Sequence, residues 1–332
     1  MVYSISISTL LILYQQRTMP NLSPIHGDRD PAGSRASGHM WHPMMAPQVQ
    51  AAEAPLVIAS ANGIHVTDTA GKTYIDGSAG MWNVNVGHNR PEIKAAIAAQ
   101  MDRISYHSTF GNMTTEPALA LASRLAELMQ PEGMTQFMFS TGGSDAVETA
   151  FKLARQYWLL EGQPRKSKII SLRNGYHGLH WAGTAASGSP VWKAAYEPGI
   201  PGFIQVEGPY PYRNPWHCDP AQLGEICAGI LEREIAHQGP GSVAAVIAEP
   251  VQGAGGLIVP PANYWSLLRA VCDRHDVLLI ADEVITGFGR TGSMFGCRHW
   301  GVKPDLMCLA KGINSGYVPM GATAISRRVA KA

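Results

Sequence analysis

Val277-Leu278-Leu279-Ile280-Ala281-Asp282-Glu283 decides the fold: an unbroken apolar run, then two acids. A run with no polar alternation suits a strand buried on both faces, as in a parallel sheet covered by helices on each side. Similar short runs recur at residues 136–139, Lys168–Leu172, Val243–Ala248 and 305–309. Between them, residues 145–160, 221–236 and 263–275 place apolar side chains at helical spacing. Residues 91–101, opening on Pro91, and 116–129 carry the same period. Further upstream, Gly63-Ile64-His65-Val66-Thr67-Asp68 alternates, turns through Thr69-Ala70-Gly71-Lys72, and returns as Thr73-Tyr74-Ile75-Asp76. That is a hairpin signal. The strand–helix alternation predicts an α/β fold, a mostly parallel sheet flanked by helices, with ligands beyond the carboxyl ends of the strands.

Composition narrows the function classes. The chain has 332 residues, 45% of them hydrophobic, enough for one large domain or two ordinary ones. Its 35 Gly and 23 Pro fit many short crossovers better than a helical bundle. A net charge of +1 with no basic run argues against nucleic acid as a partner. The five cysteines, Cys218, Cys227, Cys272, Cys297 and Cys308, form no CxxC pair, which points to a reducing, cytoplasmic compartment. Residues 5–13 are apolar but too short to span a bilayer and lack a basic flank, so no membrane partner is expected. Residues 21–37 are polar and rich in Gly and Pro. Residues 1–40 therefore read as a disordered extension or an upstream start-site artefact, with Met19 and Met40 as alternative starts, and a signal peptide is the lesser alternative. The rest divides into an N-terminal segment with the hairpin (41–100) and a main domain (101–332).

Four features at strand ends carry chemistry. Ser140-Thr141-Gly142-Gly143-Ser144-Asp145 joins a strand to the 145–160 helix. Small residues and the free N–H groups of a helix start favour an anion, so Gly143 and Ser144 could cradle a phosphate. Asp145 and Glu148 also have capping-box spacing, so the stretch reads equally as an ordinary capped turn. Asp282 closes an apolar run, where a carboxylate needs a partner such as a protonated ring nitrogen or a cation. It also reads as the cap of a following turn. Glu283 beside it must point elsewhere while the chain is extended. Lys311 ends the apolar run 306–310 and enters the turn Gly312-Ile313-Asn314-Ser315-Gly316. Apolar walls disfavour its ammonium form, and a neutral amine is what Schiff-base formation requires. Tyr176, in the loop after Lys168–Leu172, could stack on a flat heteroaromatic ring. His177 and His180 have a metal-pair spacing but no third ligand nearby, so no metal is expected. Together these supply what pyridoxal phosphate needs: a phosphate cradle, a ring face, a ring-nitrogen partner and an aldehyde-trapping amine.

The chain from Trp41 onward resembles the class III (omega-type) pyridoxal-phosphate-dependent aminotransferases of fold type I. The resemblance rests on Asn174-Gly175-Tyr176-His177-Gly178, on Ala248-Glu249-Pro250-Val251-Gln252-Gly253-Ala254-Gly255-Gly256, on Ala281-Asp282-Glu283-Val284-Ile285-Thr286-Gly287-Phe288-Gly289-Arg290-Thr291-Gly292, and on Ala310-Lys311-Gly312. It implies that Lys311 holds the cofactor as a Schiff base and shuttles a proton. Asp282 would pair with the pyridine nitrogen, Tyr176 and Val284 would cover the two ring faces, and Gly143 with Ser144 would bind the phosphate. Glu249 would play a supporting part on the ring's 3-oxygen side. Gly80-Met81-Trp82-Asn83-Val84-Asn85-Val86-Gly87-His88 resembles the substrate-pocket segment of pyruvate-dependent members such as the β-alanine–pyruvate and taurine–pyruvate types, with Trp82 as a pocket wall or a packed aromatic under the loop.

The resemblance further implies a homodimer acting on a small-molecule amine donor and a keto-acid acceptor. The phosphate motif reads Gly-Gly-Ser-Asp where the family more often has Ser-Gly-Ser-Glu, a change the backbone contacts survive. The family's second phosphate contact, a threonine of the partner subunit, and its small C-terminal domain with a carboxylate-binding arginine have no counterpart before Ala332. A fragment or a truncated, inactive product is expected on that ground. Aminomutase or decarboxylase chemistry would use the same cofactor motifs.

Overall fold

The computed structural model describes residues 40–52, 55–239 and 241–332. The extension expected over 1–40 lies, apart from Met40, outside the described residues. The chain forms two compact units, one holding the described residues up to Ser78 with Gly87–Arg90, the other Ala79–Val86 with Pro91–Ala332.

The first unit contains a three-stranded antiparallel sheet, β1 (Ile58–Asn62), β2 (His65–Asp68) and β3 (Thr73–Ile75), in that order. The β2–β3 hairpin is the one the alternation predicts, and Asp68 explains its turn. The Asp68 carboxylate accepts the Ala70 and Lys72 N–H groups at 2.9 Å each and the Tyr74 hydroxyl at 2.8 Å. A side chain that satisfies the turn's own backbone fixes the reversal.

The second unit is built on a seven-stranded sheet with flanking helices. In chain order its main elements are α1 (Pro91–Arg103), α2 (Glu116–Leu128), β4 (Met134–Ser140), α3 (Gly143–Leu160), β5 (Lys168–Leu172), α4 (Trp181–Ala186) and β6 (Phe203–Val206). They continue with α5 (Pro220–His237), β7 (Val243–Ala248), α6 (Tyr264–Arg274), β8 (Leu278–Asp282), β9 (Leu306–Leu309) and β10 (Gly321–Ser326). The sheet order is β4-β10-β9-β8-β7-β5-β6; β9, β8, β7, β5 and β6 run parallel, and β10 is antiparallel to both β4 and β9. The predicted strands and helices are present with ends shifted by no more than two residues. β6 and β10 are additional.

Period-two alternation divides the strands between two cores. Ile169, Ile247, Leu278, Ile280, Leu306 and Cys308 pack with Ala146, Ala150, Phe151 and Trp158 of α3 on one face. Ile170, Val246, Leu279, Ala281, Met307 and Leu309 pack with Leu223, Leu231, Trp265 and Leu268 of α5 and α6 on the other. Each buried Leu or Ile contributes roughly 2 kcal/mol over an exposed one, so the alternation fixes the register of the strands. Helix starts are marked locally. Asp219 caps α5 by accepting from Ala221 N at 2.9 Å and Gln222 N at 3.0 Å, with Pro220 at the first position.

The consequence for function lies at one edge of the sheet. Ser140, Leu172, Ala248, Asp282 and Leu309 all end their strands there, and β10 begins there at Gly321. Among the described residues, no helix is long and apolar enough to cross a membrane.

Candidate active site

Asp282 is the last residue of β8 and is 4% exposed. Its Oδ2 lies 2.8 Å from Nδ1 of His177, and its Oδ1 accepts the Val284 N–H at 3.2 Å. The adjacent acid points away, as extended geometry requires. Glu283, fully buried, accepts Thr286 Oγ1 at 2.6 Å and the Gly296 and Cys297 N–H groups at 2.8 Å each. It organises the following loop, while Asp282 faces the sheet edge.

Lys311 lies one residue beyond β9, after Ala310, and has a left-handed backbone, φ 44°. For a side chain with a Cβ that conformation costs about 1–2 kcal/mol, strain of a kind held at functional sites. Burial pushes its ammonium below the ordinary lysine range, against the opposing pull of Asp282 and Glu249; the Arg290 charge pushes it the same way as burial. Disfavouring the ammonium makes the nucleophilic amine form easier to reach. Its Nζ sits 5.0 Å from the Trp82 ring centroid, within cation–π range. Gly312, next in line, is a close-approach glycine: a Cβ there would strike Asn85 and Phe288.

Trp82 reaches this place through an unusual backbone. Ala79, Gly80, Met81 and Trp82 all have positive φ, between 48° and 64°, a left-handed turn closed by Asn83 N and Val84 N on the Ala79 carbonyl. Asn85 then clamps the segment, donating to Phe288 O at 3.0 Å and accepting from Arg290 at 2.5 Å, and Val86 N donates to Ser315 Oγ at 3.1 Å. The segment bearing Trp82 is thus bonded to the loops after β8 and β9.

The turn after β4 opens α3. Gly142 is extended, and Gly143 and Ser144 form the first turn of the helix. The capping box does not form: Asp145 reaches back to Thr141, accepting its N–H at 3.0 Å and its hydroxyl. Its carboxylate thus serves the loop before the helix, and a Cβ on Gly143 would press on Val284 at 3.0 and 3.1 Å. The turn is therefore tight against the residue that follows Asp282 by two.

Tyr176 lies half-buried in the loop after β5, its ring edge-on to Trp192 at 5.1 Å. Burial and the nearby Asp282 push its hydroxyl upward. Glu249 locks this loop, accepting from Tyr176 N and Gly253 N at 2.9 Å each. Burial raises its carboxyl to about 7, opposed by His177 and reinforced by Asp282. His177 and His180 share no ligand point: His177 turns to Asp282, His180 to Asp145 at 3.5 Å. The structure thus brings Lys311, Asp282, Glu249, Tyr176, Val284, Gly143, Ser144 and Trp82 to one sheet edge. It adds His177, Asn85 and Arg290, which the sequence reading did not place there as site residues. Their contacts lie 105, 203 and 205 residues away in sequence, where no local pattern could reveal them.

The arrangement suits an aldehyde-bearing, phosphorylated aromatic cofactor, and comparison with known proteins agrees. Residues 46–332 match the model of the family described as Aminotransferase class-III. The chain belongs to the class-III aminotransferases. It is 43% identical over 293 residues to the adenosylmethionine-8-amino-7-oxononanoate aminotransferase of Geobacter sulfurreducens, covering 88% of this chain and 64% of that protein. It is 42% identical over 272 residues to the putrescine–pyruvate aminotransferase of Pseudomonas aeruginosa, covering 81% and 59%. An amine transaminase from an uncultivated Pseudomonas species, solved in its PLP-bound form, superimposes with a TM-score of 0.87 at 51% identity, covering 88% of this chain and 66% of that one. An (S)-enantioselective omega-transaminase from Thermomicrobium roseum gives 0.87 at 43%, covering 90% and 66%. This class-III chain thus has the fold of the PLP-dependent transaminases and spans about three-fifths of the length of these two curated relatives.

Proposed function

We propose that the chain carries the cofactor-holding part of a PLP-dependent aminotransferase that moves an amino group from an omega-amino acid or amine to a keto acid such as pyruvate. One observation carries this reading: a lysine whose ammonium is disfavoured by burial shares a sheet edge with a buried carboxylate, a small-residue helix start and an aromatic ring. These residues fit the cofactor by the chemistry of the set and by the closeness of Gly143 to Val284. When bound, pyridoxal phosphate supplies an electron sink for the bond broken at the substrate carbon.

The protein's own part follows from its geometry. Gly143 and Ser144 offer helix-start N–H groups to the phosphate. Asp282 would be the partner for the ring nitrogen, favouring its protonated form. Tyr176 and Val284 would cover the ring faces, and Glu249 holds the Tyr176 loop in position through the Tyr176 N–H. Lys311 Nζ would anchor the cofactor and, once released, would be the group placed to accept and give back a proton at the substrate carbon, a positioned acid–base worth about 10²–10⁴ in rate. Trp82, whose ring centroid lies 5.0 Å from Lys311 Nζ, would wall the donor side.

Beyond the single chain, we assign a homodimer, with the partner completing the phosphate site. The exposed Met101, Ile104, Tyr106, Phe110 and Met113 provide apolar surface suited to being covered. Five free cysteines favour the cytoplasm. The test is a donor screen with pyruvate: alanine must form in step with donor loss. Carbon dioxide release, or an amino-shifted isomer without pyruvate consumption, would instead assign a decarboxylase or aminomutase, and no turnover with any donor would refute the activity.

A further inference from the structure

We propose that Asn85 is a positioning residue of this site: its amide pins the strap that carries Trp82 to the loop after β8, and so keeps Trp82 over the Lys311 amine. The inference rests on the reading of Lys311 given above. The strap, Ala79–Val86, does not fix its own place. Ala79, Met81 and Trp82 carry side chains in the left-handed region, at φ 48°, 64° and 61°. Residues so strained persist only where their surroundings hold them. The strap's own backbone supplies Asn83 N and Val84 N on the Ala79 carbonyl, at 2.8 and 2.9 Å, and Asn85 N on Asn83 O at 3.0 Å. These bonds shape the turn and leave it free to swing as one piece. What ties it down lies outside it.

Asn85 lies three residues beyond Trp82. Its Nδ2 donates to Phe288 O at 3.0 Å and its Oδ1 accepts from Arg290 Nη2 at 2.5 Å. A carbonyl can only accept and a guanidinium can only donate, so this pair of partners selects an amide and fixes which way it faces. A carboxylate would bring no proton to Phe288 O, and a hydrocarbon would leave both partners bare. The Lys311 turn meets the same side chain from elsewhere. A Cβ on Gly312 would strike Asn85 Nδ2, and Val86 N donates to Ser315 Oγ at 3.1 Å. Ser315 belongs to the lysine's own turn, its N–H donating to the Lys311 carbonyl at 3.1 Å. Lys311 and Ser315 are left-handed too, at φ 44° and 58°. Asn85 therefore sits where the strap, the loop after β8 and the Lys311 turn meet. With it in place, the Trp82 ring centroid stays 5.0 Å from Lys311 Nζ and the lysine is half-buried. Without it, the strap is tied to the Lys311 turn through Val86, at its far end, and Trp82 is free to move off the amine.

The test reads how readily a small reagent reaches Lys311, with no cofactor present. Trace fluorodinitrobenzene labels the lysines of the chain, and peptide mass mapping gives a rate for each. Rates are compared on their high-pH plateau, where the amines are neutral in every variant and access alone differs. Asn85→Ala should raise the Lys311 rate at least about tenfold, the effect of losing a hydrogen bond to a charged group. Asn85→Asp keeps the acceptor for Arg290 and loses the donor to Phe288, so its rate should fall between the two. Trp82→Ala should raise the rate as well, and Asn85→Ala added to it should give no further rise, because Asn85 acts through Trp82. Lys166, with its side chain 4% exposed over the Trp158 ring, is the internal control and should keep the parent's rate throughout. A merely structural asparagine would loosen the chain generally and raise Lys311 and Lys166 together, which overturns the inference. A Lys311 rate in Asn85→Ala equal to the parent's, or effects of Asn85→Ala and Trp82→Ala that multiply, overturns it too. Failure of the parent to bind pyridoxal phosphate overturns the cofactor reading alone, because the labelling needs no cofactor.

Discussion

Gly178→Ala is the perturbation whose cost can be worked out most fully. Gly178 has φ 105°, outside the region open to alanine without strain, and lies where the Tyr176 loop meets the first turn of α3, the proposed phosphate turn. An added Cβ would stand 2.7 Å from Ser144 Oγ, 3.0 Å from its Cα and 3.1 Å from its Cβ. The backbone strain costs about 1–3 kcal/mol. The contact adds about 1–3 kcal/mol, since two of the three atoms it meets lie nearer the main chain than the flexible hydroxyl. A domain with roughly 5–15 kcal/mol of stability stays folded by relaxing locally, and the relaxation available is separation of the loop from Ser144. That separation also strains the Leu179 N–H bond to Ser144 Oγ, 3.2 Å in the parent. If about 2 kcal/mol of the cost falls on the phosphate turn, cofactor affinity drops roughly 30-fold. The assay is equilibrium dialysis against pyridoxal phosphate, with thermal unfolding on the same samples. Gly162→Ala is the control: φ is 72° but nothing lies within 4 Å of the added atom, so it carries backbone strain alone. If Gly178→Ala loses no more affinity and no more stability than Gly162→Ala, the tight contact between loop and phosphate turn has no functional weight.

Three further outcomes follow from the buried groups. The rate of covalent cofactor capture should rise with pH to a plateau whose midpoint lies below that of an ordinary lysine, because burial disfavours the Lys311 ammonium; stopped-flow absorbance reads it, and an unshifted midpoint contradicts the account. Glu249, raised to about 7, holds a proton in the folded chain that the unfolded chain has lost. Stability should therefore fall by up to roughly 3 kcal/mol as pH rises from about 4.5 to about 7, and Glu249→Gln should flatten that slope in urea titrations; an equal slope in both proteins removes Glu249 as its source. Glu283→Ala strands the Thr286 hydroxyl and the Gly296 and Cys297 N–H groups, at least about 3 kcal/mol in all, so its unfolding midpoint must drop far more than that of any exposed glutamate changed the same way.

The legible parts of this chain were those governed by local hydrophobic pattern. β7 and β8 are apolar on both faces, so their runs stood out, and with them the acid at the end of β8 and the lysine after β9. β10 escaped because Gly321-Ala322-Thr323-Ala324-Ile325-Ser326 is small and mixed. Its smallness matches its packing: a Cβ on Gly321 would stand 2.2 Å from the Gly142 carbonyl oxygen, and Thr323 Oγ1 bonds the Ala146 carbonyl of α3 at 2.8 Å. Asp145 was legible as a capping residue but not in its direction, since Glu148 offered a plausible partner at the expected spacing and the real one, Thr141, lies behind it. His177 was read for its spacing to His180, when its decisive partner belongs to another strand. Pattern identifies a residue's element; long-range partners depend on how the sheet order brings distant strand ends together.

The central claim is that Lys311 is the residue that takes the cofactor. Borohydride reduction of the chain after incubation with pyridoxal phosphate, followed by peptide mass mapping, tests it directly. The account predicts one pyridoxyl group on the peptide containing Lys311 and none in Lys311→Ala. Lys166 is the informative competitor, since burial also disfavours its ammonium, yet it is occupied over the Trp158 ring at 3.4 Å and paired with Asp276. Label on Lys166, or label that persists in Lys311→Ala at the parent's stoichiometry, would contradict the account.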